Sequence, residues 1–106
     1  MIEGHRGDAR GVIERWYEAI VASGRFAGWS VELKVGAPYA GAGVWFIHEA
    51  VGAELWAWPS GCIDTATMRF GEGHEPVHGH REIDSEAAIL EHALAFEDDV
   101  LALLKR

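Results

Sequence analysis

Apolar residues recur at helical spacing near both ends of the chain, and this pattern predicts one helix at each end. The first helix is expected from about Ala9 to Ala22, between a capping Asp8 and a terminating Gly24. Its apolar face consists of Val12, Ile13, Trp16, Tyr17, Ile20 and Val21. The last helix is expected to open at Asp84-Ser85, and its apolar stripe consists of Ile89, Ala93, Phe96, Val100 and Leu103.

Between the two helices, apolar and polar residues alternate as they do in half-buried strands. A first strand is predicted over Trp29 to Val35, with one apolar side and one polar side. A second is predicted over Val44 to Val51, and Trp45 and Ile47 make its second side apolar as well. This pattern indicates either a central strand covered on both sides or an outer face that meets another molecule. Gly52-Ala53 is predicted to turn the chain after this strand.

The segment from Glu54 to Phe70 predicts a hairpin with two tryptophans close to its turn. Pro59-Ser60-Gly61 supplies the reversal, because proline presets φ and glycine accepts the positive φ at which the return strand begins. In the first strand Trp56 and Trp58 fall on the same side as Glu54. In the return strand one side carries Cys62, Asp64, Ala66, Met68 and Phe70.

A loop from Gly71 to Pro76 follows, after which Val77 to Ile83 is able to form a short final strand. The order of helix, four or five strands and helix predicts an α+β fold with an antiparallel meander sheet. Both helices are expected on one face of the sheet, which leaves the other face open. We therefore expect residues 1–106 to form a single domain, with residues 1–7 as a flexible tail.

The composition is that of an ordinary globular domain. The 106 residues are 49% hydrophobic and 25% charged, and no apolar run approaches the roughly 20 residues that cross a bilayer. The N-terminal residues contain no apolar stretch of the kind found in secretory signals. Cys62 is the single cysteine, so it has no partner for an internal disulfide. These features predict a cytoplasmic protein that does not insert in membranes.

The net charge narrows the class of binding partner. Seventeen acidic residues against nine basic ones give a formal charge of −8. Such a surface repels phosphate backbones and anionic lipids, so nucleic acids and membranes are disfavoured as partners. The charge is consistent either with simple solubility or with a protein partner that is itself basic.

A group of histidines raises the possibility of a metal-dependent enzyme. His74, His78 and His80 lie within seven residues, and Asp64 is able to approach them in space. Two of these histidines share a strand face, as metal ligands must. Solvated or hydrogen-bonded histidines explain the pattern more simply, so we predict no bound metal or cofactor.

Other catalytic arrangements have less support from the sequence. Cys62 with a nearby histidine is conceivable as a nucleophile and base, but no oxyanion-hole signature accompanies it. The carboxylates of Glu97-Asp98-Asp99 are interpreted as a solvated helix face. We therefore predict that the chain has no catalytic residues and is not an enzyme.

The tryptophans and acidic residues of the sheet favour a different function. Exposed tryptophan beside acidic groups is typical of protein-binding hot spots, whereas burial under the helices is the alternative for each ring. We predict a partner-binding surface on the open face, composed of Trp45, Glu54, Trp56, Trp58, Asp64, His78, His80 and Glu82.

From Leu55 to Leu104, roughly half of the chain, the sequence resembles the TriTu family of bacterial immunity proteins. The residues that carry the resemblance are Leu55-x-x-Trp58-x-x-Gly61-x-x-Asp64, His80-x-Glu82, Asp84-Ser85-Glu86 and Leu94-x-Phe96. The first half of the chain matches only in the order of its elements, a helix followed by Trp29-Ser30-Val31-Glu32-Leu33. Pro59, inside the turn between Trp58 and Gly61, is a local departure from the pattern.

The resemblance implies a small cytosolic protein that binds one toxin domain of a polymorphic toxin system and blocks it. The expected partner is a cognate toxin domain, and a basic one such as a nuclease suits the charge of −8. Two alternatives stay open. The first is a small acidic chaperone or adaptor for a secreted effector, which would bind an extended peptide at a sheet edge. The second is the histidine-based metal enzyme.

Overall fold

A computed structural model describes residues 8–37, 40–71 and 75–105 of the chain, and the N-terminal tail predicted over residues 1–7 lies outside them. The elements in chain order are α1 (Ala9–Ser23), β1 (Ser30–Val35), β2 (Ala42–His48), β3 (Val51–Trp58), β4 (Cys62–Arg69), β5 (Val77–Glu82) and α2 (Glu86–Ala102). A single 3-10 turn, Leu103–Lys105, follows the last helix. None of the described helices has the length and apolar character needed to cross a membrane.

The five strands form one antiparallel sheet in the order β1-β2-β3-β4-β5, so each strand pairs with its neighbour in sequence. The predicted α+β meander is therefore confirmed, with five strands. The final strand, which the sequence left as an option, pairs with β4 from Cys62↔Glu82 to Thr67↔Val77. β1 and β5 are the two edge strands of the sheet.

Both helices pack on one face of this sheet. The sheet contributes Val44, Phe46, Leu55, Ala57 and Ile63 to the core, and each of these side chains is buried. The helices contribute Val12, Ile13, Trp16, Ile20, Ile89, Ala93, Phe96 and Val100. Because side chains alternate along a strand, burial of these residues sends their neighbours in β2, β3 and β4 to the opposite face.

The predicted helix ends are confirmed. Asp8 caps α1 by accepting a hydrogen bond from the Gly11 amide (3.0 Å), and Gly24 adopts the left-handed conformation (φ 68°) that ends the helix. Ser85 caps α2, and the Glu86 carboxylate in the first turn accepts a hydrogen bond from the Asp8 amide (2.7 Å). The starts of the two helices are thereby joined.

The turn between β2 and β3 differs from the expectation. β2 ends at His48, the turn residues are Glu49 and Ala50, and β3 begins at Val51. Gly52-Ala53 therefore lies inside a strand, and its prediction as a turn is wrong. Glu49 adopts the positive φ of this reversal (49°). Glutamate rarely adopts this conformation, so the sequence gives no sign of the turn at this position.

Gly52 has a packing role instead of a turning one. A Cβ atom at this position would lie 2.9 Å from Cζ of Phe70, so the ring of Phe70 covers the space that a side chain would fill. A glycine in a strand marks either a break or a close approach of this kind. The sequence alone did not distinguish the two.

The acidic run on α2 is only partly solvated, which corrects a second expectation. Glu97 is buried, and its carboxylate accepts hydrogen bonds from the Trp16 indole (2.6 Å) and the Arg25 guanidinium (2.8 Å). Asp98 and Asp99 are exposed, and Arg25 also pairs with Asp98. Glu97 is buried because it faces Trp16 of α1 and Arg25 in the turn after it, and their indole N–H and guanidinium compensate its loss of water.

Candidate functional site

The eight predicted partner-binding residues all lie on the sheet face opposite the helices, which we call the open face. Strand register places its side chains in rows across the sheet. One row runs Lys34, Gly43, Trp56, Asp64, His80, and the next runs Glu32, Trp45, Glu54, Ala66, His78. Trp58, Cys62 and Glu82 form a third row at one end. The prediction that these residues bind a partner stays a prediction.

Trp45 is the most exposed indole of the open face, with 39% of its surface accessible. Its Nε1 donates a hydrogen bond to Glu54 Oε2 (2.9 Å) on the neighbouring strand. The Lys34 ammonium lies 4.8 Å from the centre of its ring and also pairs with Glu32 (2.8 Å). The Trp45 ring is thus held by a hydrogen bond at its N–H and by a cation–π contact with Lys34.

Trp56 packs against a glycine of the adjacent strand. A Cβ atom on Gly43 would lie 2.5 Å from Cε3 of the indole, so only glycine leaves room for the ring there. The Trp56 N–H donates to the Ala40 carbonyl (2.7 Å), and the ring centre lies 5.8 Å from that of Trp58. Both indoles are half-buried, and each has a fixed polar partner.

A polar chain leads from Trp58 to the edge of the sheet. The Trp58 N–H donates to Asp64 Oδ2 (2.8 Å), and Asp64 Oδ1 lies 2.6 Å from His80 Nδ1. The second ring nitrogen of His80 lies 3.1 Å from Glu82 Oε2. Because both nitrogens face carboxylate oxygens, both of them donate only when the imidazole is protonated.

The hydrogen bonds between these side chains shift the pKa values of Asp64 and His80 in opposite directions. The hydrogen bond from His80, supplemented by the one from Trp58, holds the pKa of the Asp64 carboxyl below its ordinary value. The pKa of the His80 imidazole is raised in turn, first by Asp64 and then by Glu82. The open face therefore favours an imidazolium flanked by two carboxylates.

An apolar depression of about 250 Å³ adjoins the indole of Trp45. Its walls include Ile47, Met68 and Phe70, and Ile47 and Phe70 are 43% and 46% exposed. Sequence reasoning left these three residues out of the predicted surface, although strand alternation had placed Ile47 beside Trp45 and Met68 beside Asp64. The sequence signal for this apolar part of the open face is therefore the alternation of side chains along the strands.

A second depression of about 250 Å³ lies on the same face above Ala66. Glu54, Trp56, Trp58, Asp64, Thr65 and His78 surround it. It combines two indole rings with two carboxylates, and neither lysine nor arginine is among its lining residues.

The arrangement bears on the chemical alternatives. Among the described residues no group of three histidine, cysteine, aspartate or glutamate side chains is placed to hold a metal ion, and His74 lies outside those residues. Cys62 is paired across the strands with Glu82 rather than with a histidine. Two carboxylates of the open face, Glu54 and Asp64, instead accept hydrogen bonds from indoles.

Comparison with known proteins adds no family to this description. No protein-family model, no curated protein and no solved structure matches the chain.

Proposed function

We propose that this protein is an immunity protein that binds a cognate bacterial toxin domain with the open face of its sheet. Binding neutralises the toxin by occluding its active site or its substrate path, with no catalysis by the chain itself. The observation that carries the proposal is the open face, where three indoles, an apolar depression and a set of carboxylates form one continuous surface. The resemblance to the TriTu family supplies the biological setting.

The apolar content of the open face supports binding to a protein. Trp45, Ile47 and Phe70 each expose about two fifths of their surface around one depression. Clustered exposed apolar groups of this kind, rimmed by polar side chains, are typical of protein interfaces. Trp56 and Trp58 extend the surface along β3 toward its turn into β4, and buried indoles are frequent hot spots of binding energy.

The order already present on this face supports tight binding. Each of the three indole N–H groups donates to a fixed acceptor: Glu54, the Ala40 carbonyl and Asp64. Binding usually immobilises side chains at an entropic cost of about 0.5–1.5 kcal/mol each. Because these rings are already held, a partner that docks on them loses less of that free energy.

The charge supports a basic toxin, such as a nuclease, as the partner. The whole chain carries −8. Among the described residues, the open face holds the carboxylates of Glu32, Glu54, Asp64 and Glu82 against the Lys34 ammonium and the His80 imidazolium. Opposite fields accelerate encounter and disfavour wrong partners. Cytoplasmic location belongs to the same proposal, because an immunity protein of this kind meets its toxin inside the cell.

The direct test is protection of growth. The chain is co-expressed in bacteria with the toxin domain encoded by the neighbouring gene, and the two proteins are then co-purified. The proposal expects restored growth and a stable complex. A neighbouring gene without a toxin domain, or the absence of both rescue and complex, counts against it.

The free edge at β5 favours a second candidate, a chaperone or adaptor for a secreted effector. Every residue of β5 is exposed, with Val77 69% accessible, and an extended peptide is able to add a strand there. Binding to an unfolded effector segment but not to a folded toxin domain supports this alternative. A complex formed only with the folded domain argues against it.

A further inference from the structure

We infer that the depression above Ala66 is a binding pocket for an arginine side chain of the partner protein. The inference rests on the proposed function in one respect, which is that the arginine belongs to a protein docked on the open face. The pocket itself consists of residues of this chain, and its ligand preference is open to measurement without the partner.

The pocket exists because a small residue lies in a row of large ones. Ala66 pairs with Glu54 on one side and His78 on the other, and the next row places Trp56 beside Asp64. A methyl group at the centre of this ring of longer side chains leaves the depression of about 250 Å³. That volume accommodates a side chain, whereas a whole peptide segment needs more room.

The lining is complementary to a cation. The indoles of Trp56 and Trp58 line the depression, and the faces of such rings carry negative potential. The Glu54 carboxylate adds negative charge, whereas the two oxygens of Asp64 are already engaged by the Trp58 indole and His80. Glu54 uses Oε2 for the Trp45 indole, and no hydrogen bond to its Oε1 is found in the described part of the chain. A charged donor entering the depression thus meets an oxygen of Glu54 and two indole rings together.

The same face already shows this mode of binding with a cation of its own. Lys34 lies over the ring of Trp45 at 4.8 Å and pairs with the Glu32 carboxylate. The Ala66 depression repeats the combination of indole and carboxylate, and neither lysine nor arginine of this chain lines it. A cation from the partner is therefore expected to make with Trp56 and Trp58 the cation–π contact that Lys34 makes with Trp45.

Arginine fits this pocket better than lysine. A guanidinium is planar, stacks on aromatic faces and still directs N–H donors at a carboxylate in its own plane. An ammonium is a compact, strongly hydrated charge that loses more water on entering a site lined by rings. The expected order of ligands is arginine, then lysine, then a neutral side chain.

The test follows the indole N–H signals of the five tryptophans by NMR while small probes are added. The probes are N-acetyl-arginine amide, the lysine analogue and the uncharged citrulline analogue. We expect saturable shifts at Trp56 and Trp58 with the arginine probe, and half-saturation by citrulline only at about tenfold higher concentration. Equal responses to arginine and citrulline, or shifts confined to Trp16 and Trp29, overturn the inference.

Two variants separate the pocket from general attraction of cations to an acidic protein. Ala66→Leu fills the depression, and Glu54→Gln removes the carboxylate charge that is not already paired with His80 while keeping an acceptor for the Trp45 indole. Both variants are expected to abolish the shifts at Trp56 and Trp58. Ala19→Leu and Glu91→Gln make the same changes on exposed helix positions and are expected to have no effect. Unaltered arginine binding by the first pair contradicts the pocket.

Failure of the pocket and failure of the proposed function give different results. A toxin complex that forms equally well with Ala66→Leu and Glu54→Gln preserves the immunity function and removes the arginine pocket. Arginine binding by a chain that neither binds nor neutralises the toxin preserves the pocket and removes the function. Circular dichroism of each variant verifies that the fold is intact.

Discussion

At the scale of single residues, Asp64 connects the aromatic and the titratable parts of the open face. One of its oxygens accepts from the Trp58 indole, and the other faces His80. A change in the protonation of His80 therefore acts on the same carboxylate that holds the Trp58 indole in place. Asp64 thus couples the charge of His80 to the position of Trp58.

This coupling predicts a measurable pH dependence. His80 has a raised pKa, so its contribution to folding stability is complete below its ordinary value of 6.5 and is lost as the pH rises through the raised value. Asp64 has a lowered pKa, so its contribution is complete above 3.8 and is lost as the pH falls through the lowered value. The ion pair thus stabilises most between these two ordinary values.

An NMR titration of the His80 ring measures the effect directly, and urea unfolding at several pH values follows its consequence. The stability difference between the wild-type chain and His80→Gln is expected to shrink as the pH rises above neutrality. His78→Gln, on the same strand and with no ion pair to a carboxylate in the described residues, is the control variant for the unfolding measurements. Titration of His80 at or below its ordinary pKa contradicts the geometry.

Trp58 and Asp64 are expected to matter more for binding than for folding. Both are half-buried on the open face, so Trp58→Ala or Asp64→Lys removes contacts that a partner makes and leaves the core beneath the helices intact. We expect each to weaken binding to the toxin domain by about 2 kcal/mol or more. Calorimetry measures this loss, and denaturant melts measure the unfolding free energy. Equal losses in both assays would assign these side chains a structural role.

At the scale of elements, the hairpin of β3 and β4 depends on Gly61. Its φ of 104° lies in a region that other residues rarely adopt, and its amide closes the turn on the Trp58 carbonyl (3.0 Å). Gly61→Val is expected to lower the unfolding free energy by about 1–3 kcal/mol. Ser60→Ala, at a turn position without positive φ, is the control for the urea melt. Equal stability of the two variants is the contrary result.

The two helices are joined by a buried polar contact as well as by apolar packing. Glu97→Ala leaves the Trp16 indole and the Arg25 guanidinium without the carboxylate that they share. We expect a loss of roughly 1–3 kcal/mol in unfolding free energy. Asp98→Ala removes an exposed partner of the same arginine and is expected to cost less than about 1 kcal/mol. A larger loss for the Asp98 variant refutes this assignment.

The sequence pattern predicted the helices and strands correctly where the apolar periodicity agreed with the capping and turn residues at their ends. Asp8, Gly24 and Ser85 mark helix ends by residue types that have one common explanation, and the Pro59-Ser60-Gly61 turn does the same for a hairpin. Gly52 has two explanations, a turn or a close approach, and the choice depends on where Phe70 lies. Tertiary contacts decide such positions, so local signals were insufficient there.

The candidate surface was predictable in membership but not in detail. Strand alternation alone places Trp56 and Trp58 on one side with Glu54, and register then adds Trp45, Asp64 and His80 from the other strands. The acceptor of each indole depends on which residues stand opposite one another, and that register is absent from the sequence pattern. The depression above Ala66 is likewise a property of rows across strands, whereas the pattern describes residues along them.

At the scale of the whole molecule, the fold separates the core from the surface that we propose for recognition. The helices and one face of the sheet form the core, and the opposite face displays indoles, carboxylates and an apolar depression. Changes on the open face are therefore able to alter partner choice with little effect on the core. With a charge of −8, association with a basic partner is also expected to slow as ionic strength rises.

Hydroxyl-radical footprinting of the chain, alone and in complex with the toxin domain, tests whether the open face is the binding surface. We predict that Trp45, Met68 and Phe70 become protected in the complex. Val21 and Leu94, which are 60% and 50% exposed on the helical layer, are expected to react as before. Protection of the helical residues with an unchanged open face contradicts the account.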